Sequence, residues 1–224
     1  MARESPALRQ VRVRRIIAVL KRTHPDAKLA LAFTTPLELL VALILAAQAR
    51  DDLVNLVTPK LFRKYRTAAD YAGETEVALQ QPVNRVNFFR QKTRSIQRAA
   101  AMLVNDFGGN VPDNMEDLLR LPGVGRKTAN AILANAFGQP AIVVDTHVSR
   151  LSQRLGLTAR DEPDKIEADL VRIVPRKDWT KFCHLLQFHG RRVCLARNPH
   201  CLNCSINKLC PRIGVNTGKT ATKP

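Results

Sequence analysis

Read for its spacing of apolar and polar positions, the chain is a succession of helices. Over Val11 to Arg22, Ile16, Ile17, Val19 and Leu20 fall inward and Arg12, Arg14, Arg15 and Lys21 outward. Thr35-Pro36-Leu37-Glu38 reads as a capping box with proline at the first helical position. It opens a helix running to about Gln48 that is apolar nearly all round, as a helix in the middle of a bundle is. Asp51 to about Tyr65 is more polar. After Pro82 a long helix carries Phe89, Ile96, Ala100, Leu103 and Phe107 on one side, with Arg90, Arg94 and Arg98 along another face. Gly108-Gly109 ends it, and Pro112 opens a short helix to Leu121. Beyond Pro122-Gly123-Val124-Gly125, the stripe Ala129, Ile132, Leu133, Ala136, Phe137 marks another helix, closed by Gly138. Further helices start at Asp145 and cover about 163–174 and 179–192, and a polar, flexible tail runs from 214 to 224. Strand signals are weak throughout.

Composition narrows the partner. Lys and Arg number 36 against 19 Asp and Glu, a formal charge of +17. A surplus that large in a folded chain points to a polyanion, nucleic acid first, with an anionic membrane surface behind it. The longest apolar run, Leu39 to Ala47, has nine residues, where a bilayer-spanning helix needs about 20. The Arg-containing start lacks an apolar stretch followed by a cleavage site, so no secretory leader is expected.

The hairpin Leu121-Pro122-Gly123-Val124-Gly125 offers a specific use. Glycines let backbone amides approach a phosphate, and the following helix points its N-terminus at the same place. Such a grip is independent of base sequence. Lys127 lies in the first turn of that helix, away from the apolar stripe. An ammonium there opposes the helix dipole, which favours the free amine, and a free amine can form a Schiff base at a sugar C1′. Asp145 follows an apolar run in Ile142-Val143-Val144-Asp145-Thr146-His147. As an N-cap it would stay ionised and could stabilise positive charge on a ribose as a glycosidic bond breaks. Taken singly, a surface lysine and a plain N-cap are the better readings of Lys127 and Asp145, and an ordinary helix-helix turn is the alternative for the hairpin.

Four of the five cysteines crowd together as Cys194-x6-Cys201-x2-Cys204-x5-Cys210. Clustered thiols in a basic protein suggest a metal, and the spacing suits zinc and a four-thiolate iron–sulfur cluster about equally. Cys183, beside Phe182, reads as a buried free thiol.

Leu-Pro-Gly-Val-Gly-Arg-Lys-Thr-Ala at 121–129, Val-Asp-Thr-His at 144–147 and the four-cysteine ending, in that order, resemble the endonuclease III family over about residues 15–213. The resemblance implies a two-lobed, all-α helix-hairpin-helix glycosylase fold. A six-helix barrel lobe would cover 29–139. The other lobe would join 1–28 to 140–213 and hold a [4Fe–4S] cluster on Cys194, Cys201, Cys204 and Cys210. It also implies base-excision repair. An oxidised pyrimidine is flipped from double-stranded DNA in the cleft between the lobes, its glycosidic bond is cut, and the strand is nicked by β-elimination. Lys127 would be the Schiff-base nucleophile and Asp145 the essential carboxylate. Gln48 would fill the gap left by the flipped base, and Phe88 would stand at the wedge position. Gly123, Gly125, His147 and Arg197 would complete the DNA contacts. The expected enzyme is an intracellular monomer, at the nucleoid if bacterial.

Departures accompany the resemblance. Relatives often have Gly-Leu/Phe-Tyr ahead of a Lys-Ala pair, where this chain has Asn87-Phe88-Phe89-Arg90-Gln91-Lys92-Thr93; Arg50 replaces a small or hydroxyl residue. A related branch that removes mismatched adenine lacks the lysine and carries a glutamate within what is here the apolar run 39–47. Two rival readings remain: a DNA-binding module without catalysis, and an enzyme acting mainly as an abasic-site lyase.

Overall fold

The computed structural model describes residues 4–215, so most of the expected tail, 216–224, lies outside the described residues. Among the described residues there are helices and turns and no strand. The all-α class that the resemblance implies is the one found. No described helix is long and apolar enough to cross a membrane. The chain divides into two compact units, one of Leu29–Ala141 and one joining the residues before Leu29 to those from Ile142 onward.

The Leu29–Ala141 unit is built on α2 (Pro36–Ala46), in which Leu39, Leu40, Val41, Ala42, Ile44 and Leu45 are all buried. Helices α3 (Asp51–Lys64), α6 (Phe89–Phe107) and α8 (Arg126–Ala136) pack around it. With neighbours on several sides, α2 has no polar face to keep wet, and its sequence supplies none. Thr35 caps it by accepting the Glu38 amide at 3.2 Å. The reciprocal half of the expected capping box does not form. The Glu38 carboxylate takes the amide and hydroxyl of Thr34 instead. A full capping box closes at Thr67 and Asp70, at the start of the short α4 (Ala68–Ala72). Neither α4 nor α5 (Glu76–Gln80) shows in the spacing, because one turn and a half is too short to display a period. Both lie against α6. The exposed arginine row of α6 is there, and Arg94 pairs with Glu76 of α5 at 3.1 Å.

Helix α7 (Met115–Arg120) begins later than Pro112, since the Asn114 side chain takes the Asp117 amide at 2.9 Å and sets the start. It leads into the glycine turn before α8. Helix α2 also ends short of Gln48, which turns into the left-handed region at φ +54°.

The second unit packs α1 (Pro6–Thr23) against α10 (Pro163–Ile173) and α11 (Trp179–Arg192), with α9 (Thr146–Arg154) on both. Helix α1 starts at Pro6, five residues ahead of the apolar period, because Ser5 caps the Leu8 amide at 3.3 Å. Arg12 corrects the reading of an outward basic face. It is half-buried, grips Glu4, and donates to the carbonyls of Leu155 (2.8 Å) and Leu209 (3.1 Å). Cys183 is buried as a free thiol, with the Val143 amide donating to its sulfur at 3.2 Å. Burial pushes its pKa up to about 12, so it stays protonated.

Candidate functional site

The hairpin is fixed from behind. Leu121 and Val124 are buried, and the Val124 amide closes the turn on the Leu121 carbonyl at 3.0 Å. Gly123 has φ +84°, a conformation that suits glycine, and a Cβ built on it would lie 2.9 Å from Cβ of Ser95 on α6. Gly125 is different. Its backbone is extended (φ −98°), and a Cβ there would meet open space. Nothing within the protein requires glycine at 125. As the N-cap of α8, Gly125 also offers no side-chain acceptor to the first-turn amides. Lys127 is exposed in that turn.

Gly123→Ala is expected to shift the turn off Ser95. The left-handed conformation alone costs a non-glycine residue about 1–2 kcal/mol, and duplex affinity should fall by roughly tenfold. Ser95→Gly in that background should recover part of the loss, since it removes the clash but not the φ strain. Binding titrations on an abasic-analogue duplex check both variants, and unchanged affinity in Gly123→Ala would contradict the role of the turn.

In the same unit Gln48 and Phe88 are exposed, and both have left-handed backbones, φ +54° and +57°. Lys92, in α6, joins their flanks. Its ammonium donates to the Leu45 carbonyl at 2.8 Å and its amide to the Phe88 carbonyl at 3.1 Å. The sequence gives one sign of this residue, a lysine set on the apolar face that carries Phe89 and Ile96.

Asp145 lies in the second unit, delivered by the buried run Ile142, Val143, Val144. It is the N-cap of α9 and accepts the Val148 amide at 2.7 Å. His147 is half-buried. Its Nδ1 lies 3.2 Å from the Arg150 guanidinium. Burial pushes the His147 pKa down; Asp145 opposes that, while Arg150 and Arg191 add to it. Arg150 also donates to the carbonyls of Gly190 and Cys194, each at 3.0 Å. That ties the middle of α9 to the cysteine segment.

Cys194, Cys201, Cys204 and Cys210 line one cavity with Leu151, Leu155, His189 and Ile206. Donors point at the sulfurs. Arg154 reaches Cys194 Sγ at 3.3 Å and the carbonyls of Leu195 and Ala196, and the Arg212 amide reaches Cys210 Sγ at 3.4 Å. His189 Nε2 lies 3.3 Å from Cys204 Sγ, and its Nδ1 3.0 Å from His24 Nε2. Burial pushes the Cys204 and Cys210 thiols up, and the neighbouring cysteines push them further. Arg197 is exposed on the loop between the first two cysteines. Arg150, Arg154 and His189 escape sequence reading, because their partners are carbonyls and sulfurs brought near only by the fold.

Residues 41–176 match the family described as HhH-GPD superfamily base excision DNA repair protein. The endonuclease III of Synechocystis sp. is 47% identical over 206 residues, which covers 92% of this chain and 94% of that protein. The chain belongs to the endonuclease III family within the HhH-GPD superfamily. Endonuclease III of Bacillus subtilis is 44% identical, over 83% of this chain and 85% of its own length. Among solved structures, a trapped endonuclease III–DNA covalent intermediate superposes with a TM-score of 0.86 at 41% identity, covering 91% of this chain and 96% of that one. A thermostable thymine-DNA glycosylase, 22% identical, shares the fold with a TM-score of 0.81 over 90% of this chain and 96% of its own. Endonuclease III relatives thus match nearly the whole chain, and the resemblance drawn from the three motifs is the one found.

Proposed function

We propose that this member of the endonuclease III family excises oxidised pyrimidines from duplex DNA and nicks the resulting abasic site through a lysine Schiff base. The observation that carries the reading is Lys127. It is an exposed amine in the first turn of α8, beside a glycine whose Cβ side is open and whose helix terminus lacks a side-chain cap. An amine at a phosphate-gripping turn is set against the sugar of the gripped strand.

The chemistry runs in balanced steps. The Lys127 nitrogen forms a bond to C1′ as the glycosidic bond breaks; the lysine loses a proton and the departing base gains one. Opening of the sugar ring gives a protonated imine. Loss of a C2′ proton then expels the 3′ phosphate oxygen, and water hydrolyses the imine to release the lysine. Asp145 supplies negative charge toward the cation that develops on the sugar. Gln48 and Phe88 enter the opened stack, and Gly123, Gly125, His147 and Arg197 contact the strand. The Leu29–Ala141 unit would serve as the barrel lobe and the remainder as the cluster lobe. The surplus of Lys and Arg, formal charge +17, favours a polyanionic duplex as partner. The enzyme works in this reading as an intracellular monomer.

The cysteines fit a resident cluster. Four cysteines share one cavity, and the Arg154 guanidinium and Arg212 amide donate to the sulfurs of Cys194 and Cys210. Four thiolates so placed, with N–H donors aimed at them, suit a [4Fe–4S] cluster held by Cys194, Cys201, Cys204 and Cys210. Bound there it would supply cross-links along 194–210, holding the loop that presents Arg197.

Borohydride trapping on abasic and thymine-glycol duplexes tests the reading, since it reduces the imine to a stable secondary amine. A covalent adduct with both supports it. Tight binding with neither adduct nor nicking would make the protein a non-catalytic DNA-binding module. An adduct on the abasic duplex alone would make it an abasic-site lyase.

A further inference from the structure

Lys92 is 6% exposed. A lysine so placed must find a partner, because a buried cation without one is costly. Its Nζ donates to the Leu45 carbonyl at 2.8 Å. Leu45 is the penultimate residue of α2, where carbonyls no longer have a helical amide to accept from and the helix dipole favours a cation. Its backbone sits in the first turn of α6, where the Lys92 amide makes the ordinary helical bond to the Phe88 carbonyl. The side chain therefore ties the end of α2 to the start of α6. Three residues beyond Leu45 is Gln48, and the N-cap of α6 is Phe88, itself 61% exposed. Neither is glycine, and each holds a left-handed backbone that strains a residue with a Cβ. Such conformations persist only where the surroundings impose them. Thr93 adds to the restraint by donating its hydroxyl to the Phe89 and Arg90 carbonyls at 2.9 and 3.0 Å.

We propose that Lys92 is a positioning residue, whose ammonium bond to Leu45 holds the end of α2, with the Gln48 turn beyond it, against the first turn of α6 that follows Phe88, in the arrangement that opens a base stack. This rests on the reading that those two side chains enter the DNA. Lys92 touches neither substrate nor reacting atoms; it acts through the two turns.

Non-additivity tests it. A duplex with 2-aminopurine beside a thymine glycol reports opening of the stack by fluorescence, and excision rates are measured on the same duplex. Gln48→Ala with Phe88→Ala is expected to lower both. Lys92→Met should lower both by about tenfold, but by less than about twofold when added to the Gln48/Phe88 variant, because coupled residues do not add. Its loss should also be at least about fivefold greater on the duplex than on nicking of a single-stranded abasic oligonucleotide, which needs no stack opening. Lys92→Gln, which keeps a donor, should lie between wild type and Lys92→Met, and it carries the comparison should the methionine variant not fold. A full additive loss in the Gln48/Phe88 background, or an equal loss on both substrates, overturns the positioning role and leaves the reading of Gln48 and Phe88 standing. A Gln48/Phe88 variant with unchanged fluorescence overturns that reading, and the Lys92 proposal with it.

Discussion

Replacing Lys127 with alanine is expected to abolish the borohydride-trapped adduct on an abasic duplex and to lower strand nicking by about 10³-fold or more, as loss of a covalent nucleophile does. The fold should not suffer. Lys127 is exposed in the first turn of α8, and alanine is the better helix former there. The melting temperature should therefore stay level or rise slightly, which separates lost chemistry from lost structure. Lys127→Arg sharpens the result. Arginine keeps the positive charge beside the hairpin, so duplex affinity should remain close to that of the parent. Its guanidinium does not give up a proton to become a nucleophile, so the adduct should vanish as completely as in the alanine variant. An adduct of undiminished yield in either variant would place the Schiff base on another amine and remove the observation on which the proposed function rests.

Much of this was legible in the chain, and the division between what was and what was not follows the kind of interaction involved. The all-apolar stretch of α2 announced a helix enclosed by others, and the period of α6 and α8 gave their buried faces directly. The glycine turn at 122–125 was readable too, because backbone amides and positive φ leave their mark in the residues they require. Arg12 and Lys92 were not. Each is a cation turned inward to a carbonyl far away in sequence, Leu155 and Leu209 for one and Leu45 for the other. A hydrophobicity pattern scores a cation as outward whatever waits for it inside. Lys92 still left a trace, being a charge out of place on an apolar face. The half-formed box at Thr35 has a similar origin: residue types at the right spacing permit two partners for Glu38, and only the chain path shows that Thr34 wins.

Asp145→Asn should leave stability nearly unchanged and reduce base removal by about 10²–10³-fold, the usual cost of deleting one preorganised electrostatic group. The near-neutral stability follows from the cap. Asp145 accepts the Val148 amide at 2.7 Å to start α9, and asparagine offers an oxygen of equal quality for that bond. Its position is set from the other side by Ile142, Val143 and Val144, all buried, so the substituted side chain has little reason to move. What asparagine cannot supply is negative charge, and the step that most needs it is the one in which the sugar turns cationic as the base leaves. An abasic site has no base to expel, so its nicking should suffer less than excision of thymine glycol. Asp145→Ala provides the contrast, because it removes the cap as well, costing about 1 kcal/mol of stability on top of the chemistry. Single-turnover rates on the two duplexes, read beside thermal melts of the three proteins, decide the matter. Wild-type excision by the asparagine variant would mean that Asp145 serves α9 alone.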